Sequence, residues 1–163
     1  MIIVEGLDGC GKTTLINNLT KEGKQLVVPN NNFENLYYKY VDIFKKSSIN
    51  SVMDRSFISV MVYGKVLSNN TKISEQDYLK LLKLYAKKKS SIIYLYAPQK
   101  LLLERRKDDI NDKLVLLHLY KSLLEEFNYR IEQAGNFIPI YKINTANYNE
   151  QQTFEQVKKL IKL

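Results

Sequence analysis

Residues 6–14, GLDGCGKTT, place three glycines, a lysine and two threonines directly after the apolar run MIIVE. Gly6, Gly11, Lys12 and Thr13 match the pattern G-x-x-x-x-G-K-[ST]. In such a loop the glycines let backbone N–H groups converge on phosphate oxygens, and the following helix adds positive potential. The lysine reaches the β- and γ-phosphates of a nucleotide, and the hydroxyl binds Mg²⁺. We therefore expect ATP to bind at Gly6, Gly9, Gly11, Lys12, Thr13 and Thr14, with Thr13 as a metal ligand.

A second cluster of polar residues begins where the apolar segment SVMD ends, in the stretch DRSFISVMVYG at 54–64. An acid that ends an apolar strand beside a phosphate loop is placed to hold Mg²⁺ through water, which predicts this role for Asp54. The planar fork of the Arg55 guanidinium suits a bidentate contact with a phosphate. A structural Asp–Arg pair that caps the next helix is an equally open interpretation of these two residues taken alone.

Short apolar runs alternate with longer helical patterns along the chain, which is typical of an α/β fold with a parallel sheet. The predicted strands are 1–5, 25–28, 51–54, 91–97 and 137–143. The predicted helices are 12–22, 34–46, 57–68, 74–88, 98–107, 113–134 and 150–162. The first and fourth strands are continuously apolar, as buried parallel strands are. The pattern predicts a single sheet in one domain that spans residues 1–163.

Composition and charge narrow the classes of protein and of partner. A chain of 163 residues with 45% hydrophobic and 26% charged residues can bury the core of one ordinary globular domain. No apolar run is long enough to span a membrane, and the start lacks the pattern of a signal peptide. With Cys10 as the one cysteine, we expect a cytoplasmic protein. The net charge of +8 suits an anionic partner, although most lysines fall in helix-like segments with solvated faces.

Two of these motifs resemble those of thymidylate kinases. VEGLDGCGKTT looks like the phosphate loop of that family, in which Gly-hydrophobic-Asp/Glu-Gly is usual. The family signature D-R-Y-x-x-S-x-x-A-Y-Q has the spacing found at Asp54, Arg55, Ser59 and Tyr63. The positions that depart from it are Ser56 in place of the aromatic residue, Val62 in place of alanine and Gly64 in place of glutamine. Arg-Ser followed by Ser59 is also similar to the E-R-S motif of deoxynucleoside kinases, a related family.

The resemblance implies a P-loop three-layer α/β/α fold with a five-stranded parallel sheet, and often a homodimer. In thymidylate kinases the acidic residue of the phosphate loop faces the metal and the sugar of the acceptor nucleotide. The resemblance therefore gives this position to Asp8. The alternative for Asp8 is a turn residue that accepts a hydrogen bond from a nearby N–H group.

The segment LLLERRKDD at 101–109 predicts a helix that runs into a polar loop. In nucleotide kinases this segment is a lid whose arginines close over the transferring phosphoryl group. Some thymidylate kinases carry an arginine in the phosphate loop, at the position that Gly9 holds here, so this chain needs the lid to supply it. The resemblance implies a short lid at about 104–113, with Arg105 and Arg106 as candidate catalytic cations. A solvated helix face paired with nearby acids is the alternative for both arginines.

The residues after the second strand bear on the identity of the acceptor. A nucleoside kinase must deprotonate a 5′-hydroxyl with a carboxylate base, which in deoxynucleoside kinases is a glutamate after the second strand. Here the stretch VVPNNNFEN has no acid before Glu34. A monophosphate acceptor is already ionised and needs cations, which are supplied by Arg55 and the lid arginines. Aromatic side chains stack on a base, and the candidates are Phe33, Tyr37 and Tyr63, for which a place in the core is the alternative.

Together these residues predict transfer of the γ-phosphate of ATP, with Mg²⁺, to a deoxynucleoside monophosphate, either dTMP or a related pyrimidine nucleotide. The expected catalytic residues are Asp8, Lys12, Arg55, Arg105 and Arg106. The expected acceptor-binding residues are Asp8, Phe33, Arg55, Ser59 and Tyr63, and the expected metal ligands are Thr13 and Asp54. The expected partners are small-molecule nucleotides rather than a membrane or a nucleic acid. Two alternatives stay open: a deoxynucleoside kinase that uses Glu34, and a nucleic-acid-binding P-loop protein that uses the basic surface.

Overall fold

The computed structural model of the protein describes residues 1–29 and 35–162. Within these ranges the chain alternates between strands and helices. The strands are β1 (Ile2–Glu5), β2 (Gln25–Val27), β3 (Ser51–Asp54), β4 (Ser91–Tyr96) and β5 (Ile140–Asn144). The helices are α1 (Lys12–Lys21), α2 (Leu36–Lys46), α3 (Phe57–Ser68), α4 (Glu75–Ala86), α5 (Gln99–Arg105), α6 (Ile110–Gly135) and α7 (Glu150–Ile161). No helix in the described ranges has the length and apolar composition that crossing a membrane requires.

The strands form one parallel sheet in the order β2-β3-β1-β4-β5. β1 and β4 pair near the centre of the sheet, where every residue of β1 is buried and β4 is buried along its middle. β2 is an edge strand and is largely exposed. The strand order and the parallel pairing confirm the predicted α/β fold with a five-stranded parallel sheet.

Helices pack beside the sheet in two groups. α1 packs against α7, while α3 packs against α4 and α6, and α2 packs against α4. In α1, Leu15 and Leu19 are buried because their spacing puts them on one side of the helix. In the second group the buried ring of Phe57 makes edge contacts with the rings of Tyr40, Tyr78 and Tyr85. Full burial of a leucine or phenylalanine side chain contributes roughly 1.5–3 kcal/mol, so these clusters hold the helices on the sheet.

The carboxyl ends of the parallel strands share one edge of the sheet. The phosphate loop follows β1 at this edge, and Asp54 ends β3 beside it, since Val4 and Asp54 are partners in the strand register. The N–H group of Arg55 then donates to the Val4 carbonyl (3.0 Å). α5 follows β4, and Thr145 follows β5. Open α/β sheets bind ligands outside this edge, so the fold collects residues of distant segments where a ligand can reach them.

The last strand differs from its prediction, because β5 covers Ile140–Asn144 whereas the apolar pattern predicted 137–143. The N–H groups of Phe137 and Ile138 both donate to the Ala134 carbonyl at 2.9 Å. These bonds close the end of α6. Phe137 and Ile138 therefore belong to the turn after the helix and not to the sheet.

Candidate active site

A cavity of about 420 Å³ opens at the carboxyl edge of the sheet, above the phosphate loop. Its walls come from that loop, the end of β3, the end of α5 and the segment after β5. The residues predicted from the sequence that line it are Asp8, Gly9, Gly11, Lys12, Thr13, Thr14, Asp54, Arg55, Arg105 and Arg106. Apart from Gly6, the fold thus brings the residues predicted for ATP, metal and phosphoryl transfer into one cavity.

The phosphate loop has a conformation that depends on glycine. Gly6 has a φ of 143°, and a Cβ atom there would lie 2.1 Å from the carbonyl oxygen of Leu95 in β4. Gly9 has a φ of 83°, and a Cβ atom there would lie 3.1 Å from Cγ of Arg106. Gly11 is the N-cap residue that precedes α1, and glycine has no side chain that could cap the helix. No side chain among the described residues therefore accepts hydrogen bonds from the first N–H groups of α1. This arrangement is typical of a phosphate site.

Lys12 reaches back from the first turn of α1 into the loop. Its ammonium donates to the Leu7 carbonyl oxygen (2.9 Å) and lies 3.6 Å from a carboxylate oxygen of Asp8. Burial and the charge of Arg55 lower the pKa of Lys12, and the charge of Asp8 opposes them only in part. The contacts with Leu7 and Asp8 place the ammonium in the loop itself, where the motif predicts contact with the β- and γ-phosphates.

Asp8 and Arg55 form an ion pair in which Nη2 of Arg55 donates to Oδ1 of Asp8. The hydroxyl of Tyr63 donates to the other carboxylate oxygen (3.3 Å), and the guanidinium lies 5.2 Å from the centre of the Tyr63 ring. Nη1 of Arg55 faces the Gly6 carbonyl (3.2 Å) and the Ser59 hydroxyl (3.4 Å). These contacts join the acidic residue of the phosphate loop to three residues of the second motif.

Asp8 is kept ionised by its cationic neighbours. Burial raises the pKa of Asp8, but the charges of Arg55, Lys12 and Arg106 outweigh it, and the net shift is downward. A carboxylate with a depressed pKa is a weak general base. The surroundings of Asp8 therefore suit contact with a metal or a sugar hydroxyl better than proton abstraction.

Asp54 and Thr13 fit a hydrated metal ion. Both residues line the cavity, and among the described residues Oδ1 of Asp54 is buried without a hydrogen-bond partner. A buried oxygen of this kind is rare in proteins, and a bound water or ion would satisfy it. Mg²⁺ keeps several waters and needs one or two protein ligands beside the substrate phosphates. The predicted pair therefore has the chemistry that the ion requires.

The predicted lid at 104–113 consists of the end of α5, a turn at 106–109 and the first turn of α6. Arg106 packs over Gly9 and pairs with Asp109 of the turn (3.6 Å). Its charge also contributes to the lowered pKa of Asp8. A side chain larger than glycine at position 9 would press against this arginine and would strain the backbone, since the φ of Gly9 is 83°.

Arg105 contacts both the phosphate loop and the segment after β5. Its Nη1 donates to the Gly9 carbonyl (3.1 Å) and to the Thr145 hydroxyl (3.0 Å), and its Nη2 donates to the Thr145 carbonyl (3.1 Å). Thr145 is itself anchored to β4, since its N–H group donates to the Tyr96 carbonyl (2.9 Å). Arg105 thus ties the phosphate loop to the segment after β5.

The segment after β5 contributes residues that the motifs did not predict. They line the cavity wall next to Arg105, and they are Thr145, Tyr148, Glu150 and Thr153. These residues lie far from the phosphate loop in sequence and match no known pattern. The general rule that loops after parallel strands form ligand sites was the available signal.

Glu5 is a second addition to the predicted set. Its carboxylate is fully buried at the end of β1 and accepts hydrogen bonds from Ser56 N–H (2.7 Å), the Ser56 hydroxyl (2.6 Å) and the Ser59 hydroxyl. Burial raises the pKa of Glu5, while the bonds from both serines and the charge of Arg55 oppose that rise. An acid at the end of an otherwise apolar strand was a signal in the sequence, since such residues are rarely buried without partners.

Two residues predicted for the acceptor side lie outside the described residues. Phe33 was predicted to stack on the acceptor base, and Glu34 was the base of the nucleoside-kinase alternative. Ser59 and Tyr63 lie behind Arg55, and Tyr63 also borders a small recess next to Asp8. The acceptor-binding roles of these residues stay predictions.

Cys10 provides a test of the loop conformation that needs no substrate. Its side chain is buried, and burial raises the pKa of the thiol to about 11. Because the thiolate is the reactive form, we expect iodoacetamide at neutral pH to leave the native protein unmodified and to alkylate it after unfolding. Mass spectrometry measures the difference. Rapid alkylation of the native protein would contradict the buried position of Cys10.

The sheet order, the phosphate loop after β1 and the acid at the end of β3 define the fold of the P-loop kinases. No protein-family model matches the chain. The SPbeta prophage-derived uncharacterized protein YorR of Bacillus subtilis (strain 168) is 25% identical over 162 residues, which are 96% of this chain and 96% of YorR. The crystal structure of YorR in complex with phosphorylated GDP aligns with 99% of this chain and 95% of that chain, with a TM-score of 0.80 and 21% identity.

Two kinases of known structure share the fold at lower similarity. Deoxyadenosine kinase from M. mycoides with bound dCTP aligns over 100% of both chains, with a TM-score of 0.64 and 19% identity. Shikimate kinase from Acinetobacter baumannii in complex with shikimate aligns over 98% of this chain and 91% of that chain, with a TM-score of 0.59 and 16% identity. At these identities the likeness establishes the fold, and the substrate has to be argued from the site.

Proposed function

We propose that this protein transfers the γ-phosphoryl group of ATP to a deoxynucleoside monophosphate, dTMP or a related pyrimidine nucleotide. The observation that carries the proposal is the convergence of Lys12, Arg55 and Arg106 on the Asp8 carboxylate beside the phosphate loop. Among the described residues that line the cavity, four cations (Lys12, Arg55, Arg105 and Arg106) face three carboxylates (Asp8, Asp54 and Glu150), and a metal bound at Asp54 would add further positive charge. Such a site suits two phosphorylated substrates better than one.

In this proposal, different residues bind the donor and the acceptor. The loop N–H groups and Lys12 bind the β- and γ-phosphates of ATP, and Arg55 binds the phosphate of the acceptor. Arg106 neutralises charge on the phosphoryl group during transfer. Thr13, and Asp54 through water, would hold Mg²⁺, which would supply further neutralisation of the donor phosphates. Asp8 keeps the guanidinium of Arg55 oriented.

The ligands of related structures support nucleotides as substrates. YorR was crystallised with phosphorylated GDP, and the M. mycoides deoxyadenosine kinase with dCTP and with dATP. Shikimate, a ligand of another class, belongs to a kinase with a lower TM-score to this chain. Because the YorR ligand is a guanine nucleotide, guanine nucleotides should also be tested, both as donors and as acceptors.

A deoxynucleoside kinase is the second candidate, because the M. mycoides enzyme aligns with the chain from end to end. This reaction needs a base for the 5′-hydroxyl. Within the described residues the carboxylates that line the cavity are Asp8, Asp54 and Glu150. Asp8 has a lowered pKa, Asp54 is the predicted metal ligand, and Glu150 begins α7 in the segment after β5. This candidate therefore depends on Glu34.

A coupled assay of nucleoside diphosphate release tests the proposal. ATP and GTP are offered as donors against every common nucleoside and nucleoside monophosphate. We expect turnover with dTMP or another pyrimidine deoxynucleoside monophosphate, and little with nucleosides. Turnover with nucleosides alone would favour the second candidate, and no turnover with any acceptor would contradict both.

The two lid arginines should differ in their kinetic effect. Arg106→Ala should lower kcat about a hundredfold with little change in the KM of ATP, because such a cation acts mainly on transition-state charge. Arg105→Ala should raise the KM of ATP about tenfold, since it removes the charged hydrogen bonds between the phosphate loop and Thr145. Steady-state kinetics of both variants measures the difference. Identical effects would contradict this division, and full turnover of the double variant would contradict any role for the lid.

A further inference from the structure

The carboxylate of Glu5 accepts all its hydrogen bonds from the segment that follows Arg55. Its carboxylate accepts from the N–H group of Ser56 (2.7 Å), from the Ser56 hydroxyl (2.6 Å) and from the hydroxyl of Ser59. Both carboxylate oxygens accept, one from Ser56 and the other from Ser59, whereas a glutamine amide in its place has a single acceptor oxygen. The side chain is fully buried, so water does not compete for these bonds.

These bonds fix the backbone on both sides of Arg55. The N–H group of Arg55 donates to the Val4 carbonyl (3.0 Å), and the next residue, Ser56, is held by Glu5. Between these two anchors Arg55 adopts a φ of 60°, in the left-handed region that residues other than glycine rarely occupy. The turn persists because neighbouring bonds on both sides hold it.

The same carboxylate also reaches the guanidinium through Ser59. The Ser59 hydroxyl donates to Glu5 and lies 3.4 Å from Nη1 of Arg55, so its remaining lone pairs are available to that donor. The Ser56 hydroxyl likewise donates to Glu5 and accepts from the N–H group of Ile58 (3.1 Å), which caps α3. Glu5 thus orders the turn, the start of α3 and one side of the guanidinium.

We propose that Glu5 is a positioning residue, which holds Arg55 in the orientation that binds the phosphate of the acceptor. The proposal rests on the proposed function, in which Arg55 contacts a monophosphate. Glu5 itself is buried beneath Arg55 and does not touch the substrate. Its effect on the reaction is transmitted by the turn and by Ser59.

The replacement Glu5→Gln keeps the shape of the side chain and removes acceptor capacity. We expect the KM of dTMP to rise about tenfold, the scale of a lost hydrogen bond to a charged group, with the KM of ATP nearly unchanged. If the role of Glu5 were purely structural, Glu5→Gln would lower the free energy of unfolding and would affect the KM of dTMP and the KM of ATP equally. An unchanged KM for dTMP in the folded variant, or an equal rise in both KM values, would overturn the proposal.

A double-mutant cycle tests whether the effect passes through Arg55. In the Arg55→Ala background, Glu5→Gln should cause no further rise in the KM of dTMP, because the group that it positions is gone. Full additivity of the two changes would overturn the proposal. Glu126→Gln is the matched control, since Glu126 is another largely buried carboxylate, bonded to Arg130 (2.7 Å) away from the cavity. It should lower the melting temperature without changing the KM of dTMP.

A milder variant keeps the test decisive if Glu5→Gln does not fold. Ser59→Ala removes the hydroxyl that links Glu5 to the guanidinium and should raise the KM of dTMP about threefold. This rise should vanish in the Arg55→Ala background, whereas the loss of a direct contact between Ser59 and the acceptor would persist there. An unchanged KM in this variant would then overturn the positioning role. Failure of the proposed function can be distinguished from failure of this proposal. A wild-type protein that phosphorylates no monophosphate would overturn both. An active wild type whose variants keep an unchanged KM for dTMP would overturn the positioning role of Glu5 alone.

Discussion

Replacing Lys12 by alanine should lower kcat for phosphoryl transfer at least about a thousandfold, equivalent to about 4 kcal/mol of transition-state stabilisation. The ammonium of Lys12 lies within the phosphate loop, and with 7% of the residue exposed, water cannot easily take its place. In a site that excludes water, a missing positive charge is felt strongly by the transferring phosphoryl group. Release of ADP in the presence of dTMP measures the loss.

The fold should survive this replacement. Lys12 gives up one hydrogen bond, to the Leu7 carbonyl, which costs about 1 kcal/mol of unfolding free energy. Lys88→Ala is a matched control, because Lys88 also donates to a backbone carbonyl, that of Ser47 (2.6 Å), at the opposite edge of the sheet. Because Lys88 also donates to the Phe44 carbonyl and to the Ser47 hydroxyl (3.2 Å), the control should lose at least as much stability, and it should keep full turnover. Near-normal turnover of Lys12→Ala would contradict the proposed kinase activity altogether.

The fold could be predicted from the sequence because its main signals are local. Buried parallel strands such as MIIVE and SIIYLYA are short and continuously apolar, and the phosphate loop joins the first strand to the first helix. The wrong start of β5 has the same origin, since Phe137 and Ile138 are as apolar as strand residues. Their N–H groups nevertheless bond to Ala134 at the end of α6. An apolar pattern indicates that a segment is buried, whereas the backbone hydrogen bonds determine whether a buried residue belongs to a strand or to the end of a helix.

The site could be predicted only where one segment carries the chemistry. Lys12 and Asp54 have positions that follow from their own loop and strand. The contact of Asp8 with Arg55 joins residues 47 positions apart, and the contact of Arg105 with Thr145 spans 40 positions. Neither contact is encoded in a motif, because it depends on how separate strands pair. For this reason the sequence did not distinguish Arg105 from Arg106, although the structure gives them different partners.

Arg55→Ala should raise the KM of the acceptor monophosphate and lower kcat/KM about thirty- to a thousandfold. A phosphate–guanidinium pair excluded from water is worth roughly 2 to 4 kcal/mol. The change also removes the ion pair between Arg55 and Asp8, so that among the described residues Lys12 (3.6 Å) alone pairs with this carboxylate and the site becomes less attractive to an anionic acceptor. Because Arg55 already has a φ of 60°, alanine adds no new backbone strain at this position. Kinetics with dTMP as the varied substrate measures the effect, and the KM of ATP should change little.

Two further variants separate a monophosphate acceptor from a nucleoside. Arg55→Lys keeps the charge and loses the planar fork, so an intermediate loss is expected if Arg55 grips a phosphate. Glu34→Gln should leave turnover with dTMP nearly unchanged, because a monophosphate has no hydroxyl proton to remove. The nucleoside-kinase alternative predicts the reverse: thymidine is accepted readily and Glu34 is indispensable. Thymidine as the better substrate of the wild type, together with an inactive Glu34→Gln variant, would overturn the monophosphate proposal in favour of that alternative.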